Sequence, residues 1–172
     1  MEQLELPPSL HSLILARIDQ LSEQQKTLIK VASVIGRLFR ASILWGLSPF
    51  AARRVALKAD LDALSELELT PLDSPDPELT YLFKHVVTQE VAYESLTLST
   101  RMMLHGAVGA YIETRFADEL DRYLDMLAYH YGRSYEVEKQ RHYFRLAADA
   151  ARAAYANESA LDYYRRLRPL LE

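Results

Sequence analysis

The residue best placed by its neighbours to do chemistry is His85. It stands where Leu79, Tyr81 and Phe83, alternating with polar residues as one face of a strand does, give way to Val86-Val87-Thr88-Gln89-Glu90-Val91-Ala92-Tyr93-Glu94-Ser95-Leu96, which reads as a helix. A titratable side chain at such a junction faces whatever lies beside the last strand and can serve as a contact point. His105, His130 and His142 fall on predicted helices, with no two of them three or four residues apart, so no pair shares a helix face as metal ligands. The chain has no cysteine, which excludes disulfides, thiol catalysis and thiolate metal sites. No serine sits in the G-x-S-x-G setting that exposes a nucleophile on a strand-to-helix turn. A phosphate-cradling G-x-x-x-x-G-K-[ST] loop is also missing: no lysine follows a glycine, and Lys26-Thr27 is preceded by Gln25. The chain is therefore expected not to be an enzyme, with no catalytic and no metal-binding residues.

The elements that would position His85 follow from composition and periodicity. A length of 172 residues suits one large domain or two small ones, and an apolar share of 49% is ample for a core. The net charge of -4 gives no general attraction to phosphate backbones or anionic membranes. No apolar run approaches the roughly 18 to 20 residues that span a bilayer, and Met1-Glu2-Gln3-Leu4-Glu5 is unlike a secretion signal, so a soluble, cytoplasmic protein without membrane contact is expected.

After Pro7-Pro8, Ser9 is placed to cap a helix whose Leu10, Leu13, Ile14, Ile18 and Leu21 form one apolar stripe. Ser22-Glu23-Gln24-Gln25 has the form of a capping box, followed by Leu28, Val31, Ala32 and Ile35 and a stop near Gly36. A short apolar piece over Ala41 to Leu47 holds the only tryptophan, Trp45, and Ser48-Pro49 reads as cap plus first-turn proline for a helix carrying Leu57, Leu61 and Leu64. Leu67, Leu69 and Pro71, then Leu79, Tyr81 and Phe83, alternate on either side of Asp73-Ser74-Pro75-Asp76-Pro77-Glu78, as the arms and solvated tip of a hairpin. Helices followed by such a hairpin are the order of a winged helix; a plain helical bundle with an irregular loop is the alternative. Helices are predicted over His85 to Thr97 and Thr100 to Phe116. Beyond Asp118, Leu124, Leu127, Ala128, Tyr131, Phe144 and Ala147 take the spacings of a tetratricopeptide helix pair, with Gln140 and Arg152 departing from it. A last helix over Asn157 to Leu170 presents Ala160, Tyr164 and Leu167. The fold class expected is mainly α: an N-terminal helix over 1-21, a winged-helix-like domain over 22-98 and a tetratricopeptide-like helical domain over 99-172.

Pro8-Ser9-Leu10, Leu15-Ala16-Arg17-Ile18-Asp19-Gln20-Leu21, Val31 to Phe39 and Phe83 to Leu96 together resemble the segment downstream of the ATPase core in the STAND class of signalling ATPases. The chain resembles in particular bacterial proteins in which that ATPase follows an adenylate or guanylate cyclase domain and precedes tetratricopeptide repeats. The resemblance runs from about Pro7 to Tyr164. It implies that the winged helix packs on the ATPase domain of the same parent chain, that His85 senses the phosphates of ADP, and that Glu90 matches an acidic position five residues on. An imidazole at a helix start can donate to a phosphate oxygen where the positive helix end favours the same anion. ADP or ATP with magnesium would then belong to the parent, and no cofactor to this chain, in which no paired aspartates for cyclase chemistry are found.

Two other readings compete. A winged helix can bind DNA, but the helix carrying Arg53, Arg54 and Lys58 also carries Asp60, Asp62, Glu66 and Glu68, and the hairpin tip is acidic, which disfavours nucleic acid. A scaffold whose wing is only a spacer is the other. Tyr123, Tyr129, Tyr131, Tyr135, Tyr143, Tyr155, Tyr163 and Tyr164 crowd the last third, either as a surface for a protein partner or as the large residues of helix packing.

Overall fold

The computed structural model describes residues 8–47 and 54–171. They form a mainly helical protein with one small antiparallel sheet, divided into two compact units, the first ending at Thr97 and the second starting at Leu98. In the first unit the elements run α1 (Pro8–Asp19), α2 (Glu23–Ile35), β1 (Leu38–Arg40), α3 (Ala41–Gly46), α4 (Arg54–Glu66), β2 (Leu72–Ser74), β3 (Thr80–Leu82) and α5 (Val86–Glu94).

α2 is the centre of this unit, packing on α3, α4, α5 and β1. Its start is fixed by the capping box read from the sequence: Ser22 Oγ accepts from Gln25 N at 3.2 Å, and Gln25 Oε1 accepts from Ser22 N at 3.1 Å. Leu28, Ile29, Val31, Ala32, Val34 and Ile35 are all buried, so the helix is apolar well beyond one stripe. It stops at Gly36, whose φ of 149° lies where a side chain would be strained. Leu57, Leu61 and Leu64 of α4 complete the core from another side; truncating one such leucine to alanine would cost about 2–5 kcal/mol. Ser48, Pro49 and Arg53 lie outside the described residues, as does the side chain of Ser9, so the caps expected there have no structural counterpart to report.

The sheet differs from the expected hairpin in two ways. Its order is β1-β3-β2, so β3 is central and an extra strand lies on its far side, with Phe39 opposite Tyr81. Three residues are too few for alternation to be readable, and β1 therefore left no periodic signal. The first hairpin arm also begins later than Leu67: the backbone turns out of α4 through Leu67 N→Ala63 O and Leu69 N→Leu64 O, with Glu68 left-handed at φ 56°, before pairing starts at Leu72. The spacing of Leu67 and Leu69 reflects that turn; Leu69 is buried, whereas Leu67 is exposed. On the inner face Phe39 stacks near Tyr81 (centroids 5.9 Å apart) and against Phe83 (5.6 Å).

The second unit holds α6 (Leu98–Arg115), a 3-10 segment over Ala117–Tyr123, α7 (Leu124–Tyr131), α8 (Val137–Ala153), α9 (Asn157–Leu167) and a closing 3-10 turn over Arg168–Leu170. Each α-helix packs on the next in sequence. Leu104, Val108 and Ile112 of α6, Leu124, Leu127, Ala128 and Tyr131 of α7, Tyr143, Phe144, Ala147 and Ala148 of α8, and Ala160 and Leu167 of α9 form the buried faces. Among the described residues no helix is long and apolar enough to cross a membrane.

Candidate functional site

The backbone that delivers His85 is hydrogen-bonded up to the residue before it. Leu82 N donates to Pro71 O at 3.0 Å, Phe83 N to Arg37 O at 2.9 Å and Lys84 N to Leu69 O at 3.1 Å. Phe83 is wholly buried, and Thr88, Val91 and Ala92 anchor α5 on the core, so the junction is pinned on both sides. α5 is tied to α2 as well, by Gln89 Nε2 donating to Ser33 O at 3.0 Å. Between these anchors His85 is the N-cap residue of α5, extended at φ -123° and ψ 133°, and its carbonyl accepts from Thr88 N at 3.0 Å. Its side chain makes no capping hydrogen bond and is exposed. Histidine is a poor cap compared with serine or aspartate, so a ring here leaves the first N–H groups of the helix available to another acceptor.

Three cationic or titratable groups gather beside this point. Lys84 Nζ lies 2.8 Å from Glu68 Oε1. Arg17 of α1 donates through Nη2 to Leu67 O at 3.1 Å. The Lys84 hydrogen bond, helped by the charge of Lys84 and then by Arg17 and His85, holds the Glu68 carboxyl below the usual carboxylate range. Glu68 is thus an exposed carboxylate paired with Lys84, within electrostatic reach of Arg17 and His85. The face around His85 can bind and orient an anion; it contains no nucleophile with an adjacent base. Glu90 lies half-buried further along α5.

Sequence reasoning found His85 but not its companions. Lys84 was visible beside it, whereas Arg17 and Glu68 lie far away in the chain and only the fold brings them in. Sequence spacing equally kept His105 and His130 apart, on different helices. In the structure their rings meet in the interior of the second unit, Nδ1 to Nδ1 at 2.9 Å, both buried. Burial lowers both, His105 to about 4 and His130 to about 3, the second also by the neighbouring His105 and both by Arg133. The pair is neutral at pH 7, one Nδ1–H donating to the other Nδ1. His142 is exposed and edge-on to Tyr143. Among the described residues no group of three or more histidine, aspartate or glutamate side chains is gathered as metal ligands would be.

The tyrosines fall in different settings. Tyr131 and Tyr143 are core residues, while Tyr163 and Tyr164 donate to Asp125 at 2.9 Å and Asp149 at 2.6 Å. Tyr129, Tyr135 and Tyr155 are exposed. On α4, Lys58 is spent on Asp62 at 2.7 Å.

No family model, curated protein or solved structure matches the chain.

Proposed function

We propose that this chain is a non-catalytic regulatory and interaction module of a multidomain signalling ATPase: the first unit a winged helix that contacts the nucleotide-binding domain of the same parent, the second the start of a tetratricopeptide-like array that receives a protein partner. The observation that carries the reading is the setting of His85. It is an exposed imidazole unused by its own helix cap, held on a pinned strand-to-helix junction, and flanked by Lys84 and Arg17. These groups fit a phosphate of a bound nucleotide: an imidazole N–H and the open N-terminus of α5 favour the same anion, with Arg17 and the Glu68-paired Lys84 adding positive charge nearby.

The order α2, α3, α4 and then the β2–β3 hairpin supports the winged-helix assignment, with β1 as the third strand. Small buried residues on successive helices, Ala128, Ala147, Ala148 and Ala160, support close antiparallel packing of the repeat type. DNA regulation finds less support, because the Lys58 charge is already paired on α4 and the hairpin carries Asp73 in β2 and Asp76 and Glu78 in its connection. The spacer reading leaves the unengaged ring of His85 without a role.

In a full-length parent, His85→Ala should speed ADP release and raise basal output, with the melting temperature unchanged because the side chain is exposed. Single-turnover release of a fluorescent ADP measures this, and an unaltered release rate removes the sensor role. The chain by itself should neither hydrolyse ATP nor hold it tightly.

A further inference from the structure

The second unit carries a cavity of about 470 Å3 against the first half of α6. Ser99, Met102, Met103 and Gly106 recur at three and four residues, so they line it from one face of that helix. The loop between α7 and α8 forms the other wall through Tyr135 and Glu136. Met103 is 60% exposed and Tyr135 59%, so large apolar side chains face solvent on both sides of the cleft. Gly106 opens the floor: a Cβ added there would sit 3.0 Å from Glu136 Oε1, which places the carboxylate directly over it.

That carboxylate makes no ion pair among the described residues, and cations close to it in sequence are committed elsewhere. Lys139 pairs with Glu113 at 2.6 Å and Arg141 with Glu138 at 2.8 Å. Arg133 lies over the Tyr129 ring at 3.9 Å and donates to Tyr129 O at 3.2 Å. A carboxylate without an ion pair among the described residues, beside apolar walls, selects a ligand that brings both grease and a positive charge.

We infer that this cleft docks a basic amphipathic protein segment, one apolar side chain entering between Met102, Met103 and Tyr135 while a neighbouring lysine or arginine pairs with Glu136. The inference rests on the reading of the second unit as partner-binding and supplies the chemistry of the partner. Methionines adapt their shape to the incoming side chain, and tyrosine gives a rigid anchor with a polar tip. Glu136 sets the choice of partner, since an acidic segment would face like charge.

The test is selection of a random peptide library on this chain, with counter-selection on Met103→Glu and Glu136→Lys. Both positions are exposed, and circular dichroism checks that the variants fold. Enriched peptides should carry lysine or arginine within a helical turn of a large apolar residue and shift the amide resonances of Ser99 to Gly106 and Ser134 to Glu136. They should bind either variant at least about tenfold more weakly, a loss of about 1.4 kcal/mol. Glu136→Lys should instead enrich acidic peptides. Peptides without a basic residue, no enrichment over the variants, or shifts elsewhere would overturn the proposal. So would self-association of the chain that Met103→Glu abolishes, because the occupant would then be a second copy. The peptides are read on this chain and ADP release on the parent, so either result can fail without the other.

Discussion

Glu113 shows how much one side chain can organise. Its carboxylate accepts from Tyr131 Oη at 2.6 Å, from Lys139 Nζ at 2.6 Å and from Tyr143 Oη, joining α6, α7 and α8 at one point. Burial alone would raise its pKa, but the hydrogen bonds from Lys139, Tyr131 and Tyr143 outweigh it and the net shift is downward. Tyr131 and Tyr143 are pushed upward, first by burial and then by the bond to Glu113, so both stay protonated donors. Glu113→Gln keeps the shape, removes the charge and offers one fewer acceptor oxygen. It should cost about 2 kcal/mol in denaturant unfolding. Because the folded pKa is lowered, the stabilisation exists above the unfolded value of about 4.3 and fades as pH falls through the folded one. The variant should therefore lose less stability than the wild type on acidification through that range; a loss below about 0.5 kcal/mol at neutral pH would refute the clamp. No sequence pattern announces this cluster, since the partners stand 18, 26 and 30 residues from Glu113. His85 was legible for the opposite reason: its type and its junction are both local.

At the scale of elements, Gly109 shows why α6 and α7 can approach as they do. A Cβ at Gly109 would lie 2.8 Å from Tyr131 Cζ and 2.9 Å from Cε2. The ring cannot retreat, because it stacks on Tyr143 with centroids 5.2 Å apart and planes 5° from parallel, and its hydroxyl is held by Glu113. Gly109→Ala would gain about 1 kcal/mol of helix propensity on a free helix. Overpacking of about 1–3 kcal/mol opposes that gain, so a lower melting temperature is expected, and a raised one would mean that the helices can separate at no cost. Long helices with caps and stripes were readable in the sequence: α2 begins at Ser22 and ends at Gly36 because a capping box and a glycine say so locally. β3 was readable too, through Leu79, Tyr81 and Phe83, but β1 and the place of β2 were not. β1 and β2 are three residues each and owe their existence to pairing with β3, a partner distant in sequence for β1, while Leu67 and Leu69 imitated a strand inside a left-handed turn. The face around His85 was half legible for the same reason, its local half being Lys84-His85 and its distant half Arg17 and Glu68.

Across the whole molecule, the two units differ in what acid does to them. The second hides the His105–His130 pair, whose mutual hydrogen bond needs one Nδ1 without a proton; protonating it would set two N–H groups against each other at 2.9 Å, with Arg133 already near and the Tyr129 ring edge-on to both. Folded values of about 4 and about 3 lie below the ordinary 6.5. As pH falls below about 6.5 the unfolded chain therefore takes up protons that the folded unit refuses, and the second unit loses stability until the folded values are reached. In the first unit His85 is exposed, and His11 is only half-buried, 3.5 Å from Glu94, so neither ring is an interior one. The single tryptophan, Trp45, belongs to that first unit and reports it alone. Urea unfolding at pH 7 and pH 5 should accordingly show a tryptophan transition that scarcely moves, while the share of the helical signal that comes from the second unit shifts to lower urea; His105→Gln with His130→Gln should flatten that shift. Coincident movement of both transitions would mean that the units unfold as one, and a helical transition insensitive to pH would mean that the two imidazoles are not held together as neutral partners.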